Sequence, residues 1–531
     1  MPDRLSPLDV SFLYLEEPTT PMHVGSVLVF EPTAGPVDHA TLIRYVQARI
    51  AYVPRYRQRV RAVPGRLANP VWVDDERFDI SYHVRRSGLP RPGTRHQLEE
   101  LVARLQARHL DRSRPLWELT LVEGLEGGRF AVITKVHQAL VDGVHAVDLG
   151  QMVLDESPGG YDPPTQLWRP APEPSLVELV VGAVADSVRA PRQILDTLRA
   201  DMADIQAGAG RLFDVVGGLA ARTATRPTPR SPLNPDIGGH RRFRMVATDL
   251  ADHRAVRNHL LTPPRPRRGK AVFSAQGARR VGREAEPAPG LDGGRALDHD
   301  PGRDRDDDPL AVVTVGGIDG SPNGVVPRVE PTINDVILAT LAGALRAWLL
   351  TRGEPVRPSS LLRALVPMSV RAGDALASPL GSGVSSILVD LPTGEASPLI
   401  RLHQVAYQTR AHREGSQAVS ARTIAGIAGF APPTLHSLGA RVASGLSRRL
   451  FNLVVTNVPG PQLPLFLDGS RMLASYPVIP LAKGQALSVG LTSYDGGVYY
   501  GLHGDRDAMP DLEILGQCVV ESLAELVEAV R

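Results

Sequence analysis

Residues 135–149 read KVHQALVDGVHAVDL. The run that leads into them, Phe130 to Val136, is apolar and rich in β-branched side chains, which predicts a strand. The strand pattern stops at His137-Gln138, and Asp142-Gly143 follows as a turn signal. A strand end that feeds a turn is a good place to hold a side chain rigidly at a cavity mouth. Neighbouring side chains on a strand point to opposite faces, so His137 and Gln138 are expected to face apart. Trp117 to Val122 also alternates, and Gly127-Gly128 predicts a turn, so 117–136 reads as a β-hairpin.

Working outward, 24–30 (VGSVLVF) reads as a strand, and 38–52 and 97–110 as helices with a buried face. Residues 144–154 are expected to start another helix, and the proline-rich 156–174 reads as a linker. From 175 to 222 apolar residues recur at spacings of three and four, interrupted at Pro191. This predicts amphipathic helices that pack on the protein itself or present an apolar face to a membrane. Residues 262–330 lose the apolar periodicity and are dominated by Pro, Gly, Arg and Asp. Such a stretch cannot bury enough apolar surface to offset its ordering entropy, so a disordered insertion is expected. A misread frame of a GC-rich gene would have the same composition, and the two readings stay open. Thr332 and Asn334 are candidate caps of a helix running to Leu350. Residues 362–366, 384–391 and 452–458 read as strands, 486–502 as a hairpin around Asp495-Gly496-Gly497, and 511–529 as a closing helix.

The chain has 531 residues with 59 Lys and Arg against 57 Asp and Glu, a net charge of +2. That balance gives no argument for a nucleic-acid partner. Cys518 is the only cysteine, which excludes an intramolecular disulfide and a cysteine metal cage. No His, Asp or Glu grouping has metal-ligand spacing, and neither a phosphate loop nor a GxSxG elbow occurs. No secretory leader and no uninterrupted apolar run of about 18 residues is read, so the expectation is a cytoplasmic chain whose membrane contact, if any, is peripheral.

KVHQALVDG resembles the HHxxxDG motif of the acyl-CoA-dependent acyltransferase superfamily. SPLDVSFLYLEEPTTPMHVG near the start, RPLW at 114–117, TINDVILATLAGALR at 332–346, VPMSVR at 366–371, VVTNVPGP at 454–461 and SYDGG at 493–497 narrow the resemblance to the bacterial wax ester synthase/diacylglycerol acyltransferase family. These blocks stand in family order and cover nearly the whole chain outside 262–330. The resemblance implies an α/β (α+β) fold of two chloramphenicol acetyltransferase-like halves with a channel between them. It places the motif-bearing half at 1–170, crossover helices at 171–230 and the second half at 231–531. It implies transfer of a fatty acyl group from acyl-CoA, as co-substrate, to diacylglycerol or a long-chain alcohol, with no resident cofactor. Contact with a membrane or lipid droplet is likewise inherited from the family.

In that family the second His of the motif is the general base. Here His137 aligns with the first His and Gln138 with the second. An amide donates and accepts hydrogen bonds but takes no proton at useful pH. Two functional readings follow: a slow acyltransferase, or a lapsed homologue that binds acyl-CoA or lipid. His137 is a displaced base or a structural histidine; Asp142 is a turn or ion-pair residue; Gly143 permits the turn. His23, Asn457 and Ser493 are candidates to line the channel, each with a structural alternative. Asn334 and Asp335 are explained by capping and helix-dipole complementarity. Trp117 is read as a core anchor.

Overall fold

The computed structural model describes residues 2–33, 37–141, 149–159, 168–182, 228–229, 231–261, 330–369, 384–414, 419–420 and 450–531. The expected insertion, most of the crossover helices, and Asp142, Gly143 and His145 of the motif region lie outside the described residues.

The first half opens on helix α1 (Pro7–Leu15) and strand β1 (His23–Glu31). Ser6 caps α1 in a reciprocal box with Asp9, and Pro7 sits where a helix needs no N–H. Helix α2 (His39–Ile50), strands β2 (Gln58–Arg61) and β3 (Val71–Asp74), the short helix α3 (Ile80–His83) and strand β4 (Val84–Gly88) follow. Helix α4 (Arg95–Gln106) leads to β5 (Trp117–Glu123) and β6 (Phe130–His137). Every residue of β6 is buried, because it runs between β1 and β5. The short helices α5 (Gln138–Val141) and α6 (Leu149–Met152) close the described part of this half, apart from a helical stretch at 176–182.

The second half holds β7 (Arg241–Asp249), α7 (Leu250–Leu261), α8 (Ile333–Thr351), β8 (Leu362–Ser369), β9 (Val384–Leu391), α9 (Pro398–Glu414), β10 (Val419–Ser420) and β11 (Leu453–Pro459). It continues with β12 (Phe466–Leu467), β13 (Ser470–Val478), β14 (Leu487–Tyr494), β15 (Gly497–Asp505) and α10 (Leu512–Ala529). Its seven-stranded sheet has the order β10-β9-β8-β11-β14-β15-β7. The main core there packs α8 and α10 on the sheet through Trp348, Leu345, Leu491 and Val519.

The other large sheet has the order β12-β13-β1-β6-β5-β4, so two strands from the second half complete the sheet of the first. β13 pairs antiparallel with β1 from Gly25↔Val478 to Glu31↔Arg471 and covers an otherwise open edge. A mixed cluster of Val27, Val102, Phe243, Met245 and Tyr476 joins β1, α4, β7 and β13. Thus the fold is a mixed α/β architecture of two interlocked halves. Gly501 marks where the sheets meet, because a Cβ there would stand 1.8 Å from the carbonyl oxygen of Pro477.

Helix α8 bears on the expectation that no segment spans a membrane. By length and composition it is apolar enough to cross a bilayer, although no such segment was expected. Asn334, Asp335, Thr340 and Arg346 interrupt its apolar residues, so it contains no long unbroken apolar run. Val336, Ala339, Ala342 and Trp348 are all fully buried, which gives α8 the place of a core helix.

Candidate active site

The strand end that carries the motif is fixed by three backbone donors in succession. His137 N–H donates to Leu116 O at 3.0 Å, and Gln138 N–H to Met22 O at 2.9 Å. Ala139 N–H donates to His137 Nδ1 at 3.0 Å, which turns the chain out of the sheet. The strand therefore ends at His137, and Gln138 opens α5. This changes the expected alternation, because position 138 is no longer a strand residue. The RPLW block sits alongside for a physical reason. Leu116 accepts from His137, while Trp117, fully buried, donates through Nε1 to Tyr56 O at 2.7 Å and stacks on His83.

His137 is 1% exposed. The Ala139 N–H occupies the Nδ1 lone pair, so the neutral ring carries its proton on Nε2. That nitrogen faces Glu16 Oε2 at 3.8 Å, too long for a hydrogen bond. Burial drives the ring's pKa down to about 3, against a raising influence from Glu16. His23 stands opposite His137 in the β1–β6 register, with ring centroids 5.8 Å apart. Burial likewise lowers His23 to about 4, opposed by Glu16.

Both rings surround one carboxylate. Glu16 ends α1 as its C-cap residue and is 4% exposed at its side chain. Arg112 grips its Oε2 with Nη2 at 2.5 Å and Nε at 3.1 Å. Its Oε1 accepts from Met22 N–H at 3.3 Å and lies 3.2 Å from both His23 Nε2 and His109 Nδ1. Burial opposes ionisation, but His23, His137 and Arg112 outweigh it and hold the carboxyl well below the usual range. Sequence reasoning missed Glu16, His109 and Arg112. The available signal was an acidic residue closing the apolar helix LYLEE, but its partners lie far along the chain.

Gln138 is half-buried, and its carboxamide makes no hydrogen bond among the described residues. The segment that supports its backbone also touches the second half. Glu17 pairs with Lys483 at 2.8 Å, and the Thr19 carbonyl accepts from Arg241. The remaining candidates form a second group. Asn457 Nδ2 donates to Asn334 Oδ1 at 3.2 Å, linking β11 to the start of α8. Asp335 is fully buried and closes the α8 capping box with Thr332, while its Oδ1 accepts from Thr409 at 2.6 Å. Ser493 Oγ accepts from Gln462 Nε2 at 3.3 Å. No hydrogen bond or ion pair among the described residues joins this second group to His23, His137 or Gln138. No cluster of His, Cys, Asp and Glu among the described residues could hold a metal ion.

With this geometry in hand, comparison with known proteins defines the class. The model of the wax ester synthase/diacylglycerol acyltransferase catalytic domain matches residues 5–260, and that of its C-terminal domain matches 380–527. Tgs2 of Mycobacterium tuberculosis, named a probable diacylglycerol O-acyltransferase, is 30% identical over 99% of both chains. Tgs3 of the same organism, named likewise, is 43% identical over 48% of this chain and 96% of its own. The structure of the wax ester synthase/diacylglycerol acyltransferase from Marinobacter aquaeolei VT8 superposes with a TM-score of 0.61 at 26% identity, covering 99% of each chain. A cyclization-docking bidomain from Sorangium cellulosum, at 14% identity and a TM-score of 0.50 over 100% of this chain and 84% of its own, shares the fold alone. The chain belongs to the wax ester synthase/diacylglycerol acyltransferase family and is an acyltransferase of that type.

Proposed function

We propose that this protein transfers a fatty acyl group from acyl-CoA to the hydroxyl of diacylglycerol or of a long-chain alcohol, at a rate limited by Gln138. What supports the reading is the alignment of Gln138 with the second His of the motif, together with a backbone tied to Met22 and a carboxamide that makes no hydrogen bond among the described residues. In the reaction the acceptor oxygen attacks the thioester carbonyl, the C–S bond breaks, and the hydroxyl proton ends on the departing thiol. Gln138 can accept a hydrogen bond from the hydroxyl and orient it, but the proton must pass to water or to the leaving thiolate. Approximation of the two substrates supplies the remaining rate. An insoluble acceptor also favours a peripheral place at a membrane or lipid droplet. Leu176, Val177 and Val181, each more than half exposed on the 176–182 helix, would suit such contact.

A second reading is a lapsed homologue that binds acyl-CoA or lipid without turnover. One observation favours it: His137 is enclosed, its Nδ1 is occupied and burial disfavours its protonation, so it is a poor substitute base. Turnover of a long-chain acyl-CoA with diacylglycerol and with hexadecanol separates the two. Slow but enzyme-dependent ester formation that falls further in Gln138→Ala supports the slow transferase. Binding of acyl-CoA with no ester above the protein-free rate supports the lapsed homologue.

A further inference from the structure

Among the described residues, Glu16 meets several of the segments around the motif. Its backbone N–H closes α1 on Phe12 O, and its carboxylate accepts the Met22 N–H at the entry to β1, is gripped by Arg112 before β5, and faces His137 at the end of β6. Met22 is the residue whose carbonyl holds Gln138, so only one residue separates the carboxylate's hold from the backbone of position 138. His23 and His137 are buried and neutral, and neither is suited to bear the guanidinium's charge in Glu16's place. A simple structural ion pair between Arg112 and Glu16 would require none of the other four contacts, to Met22, His23, His109 and His137.

We infer that Glu16 is a positioning residue, which sets the place of the side chain at position 138 through Met22 and His137 without touching substrate. A hydrogen bond to a charged group contributes enough that losing it should open the local structure by about tenfold or more. Misplacement of a reacting group by about 1 Å can cost about 10²-fold in rate.

The kinetic arm rests on the acyl-transfer reading, so it is run in the Gln138→His background, where that reading expects a robust rate. Adding Glu16→Gln should lower kcat by about 10- to 100-fold while leaving KM for acyl-CoA within about twofold. Arg112 is 49% exposed at its side chain, so water takes up much of its charge and the loss of its counter-charge costs little stability. Glu16→Gln combined with Arg112→Gln removes that charge. Stability should stay close to that of the single variant while kcat stays low, because Met22 and the histidines still lack their carboxylate. Recovery of kcat in the combined variant would reduce Glu16 to charge compensation and overturn the inference, as would an unchanged kcat in Glu16→Gln.

If Gln138→His forms no ester with either acceptor, the functional reading fails and hydrogen exchange decides the inference by itself. In Glu16→Ala otherwise carrying the native sequence, which removes the acceptor for Met22 N–H, the amides of Gln138 and Ala139 should exchange at least about tenfold faster, with the β14–β15 hairpin unchanged. Unaltered exchange at those two amides would overturn it.

Discussion

The imidazole of His137 accepts the amide proton of Ala139, 3.0 Å away, across the bend that ends β6. The bond makes His137 part of the turn that presents Gln138, and it occupies the lone pair that a base would need. His137→Ala should therefore lose about 1–3 kcal/mol of stability, since a buried N–H is left without an acceptor. His137→Asn, whose amide oxygen can stand near the place of Nδ1, should lose less. Denaturant melts of the two variants make the comparison. Equal losses would mean that the bond to Ala139 contributes nothing.

Acidification should destabilise the protein earlier than the carboxylates alone would dictate. His137 is lowered to about 3, and His23, His83 and His503 to about 4, by burial foremost. The unfolded chain protonates these rings near 6.5, so below that pH it binds more protons than the folded chain. Stability is fully present above about 6.5 and falls as pH drops toward 4, by up to about 1.4 kcal/mol per pH unit for each ring. Denaturant melts at pH 7, 6 and 5 should show a steepening loss. A flat profile over that interval would mean that the rings are not buried as neutral groups.

Gly501→Ala tests the seam between the sheets. The added methyl would collide with Pro477 O and approach Phe243, so β13 and β15 must separate. Overpacking of this kind costs about 1–3 kcal/mol, and more where backbone must move. A melt unchanged from the native protein would show that the sheets do not meet there.

Asp335→Ala should cost about 2–4 kcal/mol. Its carboxylate accepts from Thr332 N–H at 2.7 Å, Thr332 Oγ1 at 2.8 Å and Thr409 Oγ1 at 2.6 Å; the Thr332 donors would lose this acceptor, while Thr409 keeps the Ala406 carbonyl. Chemical denaturation measures the loss, and Asp335→Asn should be milder because it keeps one acceptor oxygen.

Local pattern carried most of the element reading. The alternation of WELTLV, the cap at Thr332 and the Asp495-Gly496-Gly497 turn each correspond to β5, α8 and the β14–β15 hairpin. These signals are local because propensity, capping and turn chemistry act over a few residues. The joining of β13 to β1 was not legible, since pairing residue 25 with residue 478 depends on how the halves approach. The Glu16 cluster was hidden for the same reason, with partners at 22, 23, 109, 112 and 137. The end of the strand at His137 turned on one side-chain bond to Ala139, which no hydrophobic period records.

The central claim is that a carboxamide occupies the place of the catalytic base, and Gln138→His tests it most directly. With a long-chain acyl-CoA and diacylglycerol or hexadecanol, the variant should form ester about 10²–10⁴ times faster than the native protein, the usual contribution of general-base catalysis. Native and variant rates that agree within a few-fold would contradict the account and place the base elsewhere.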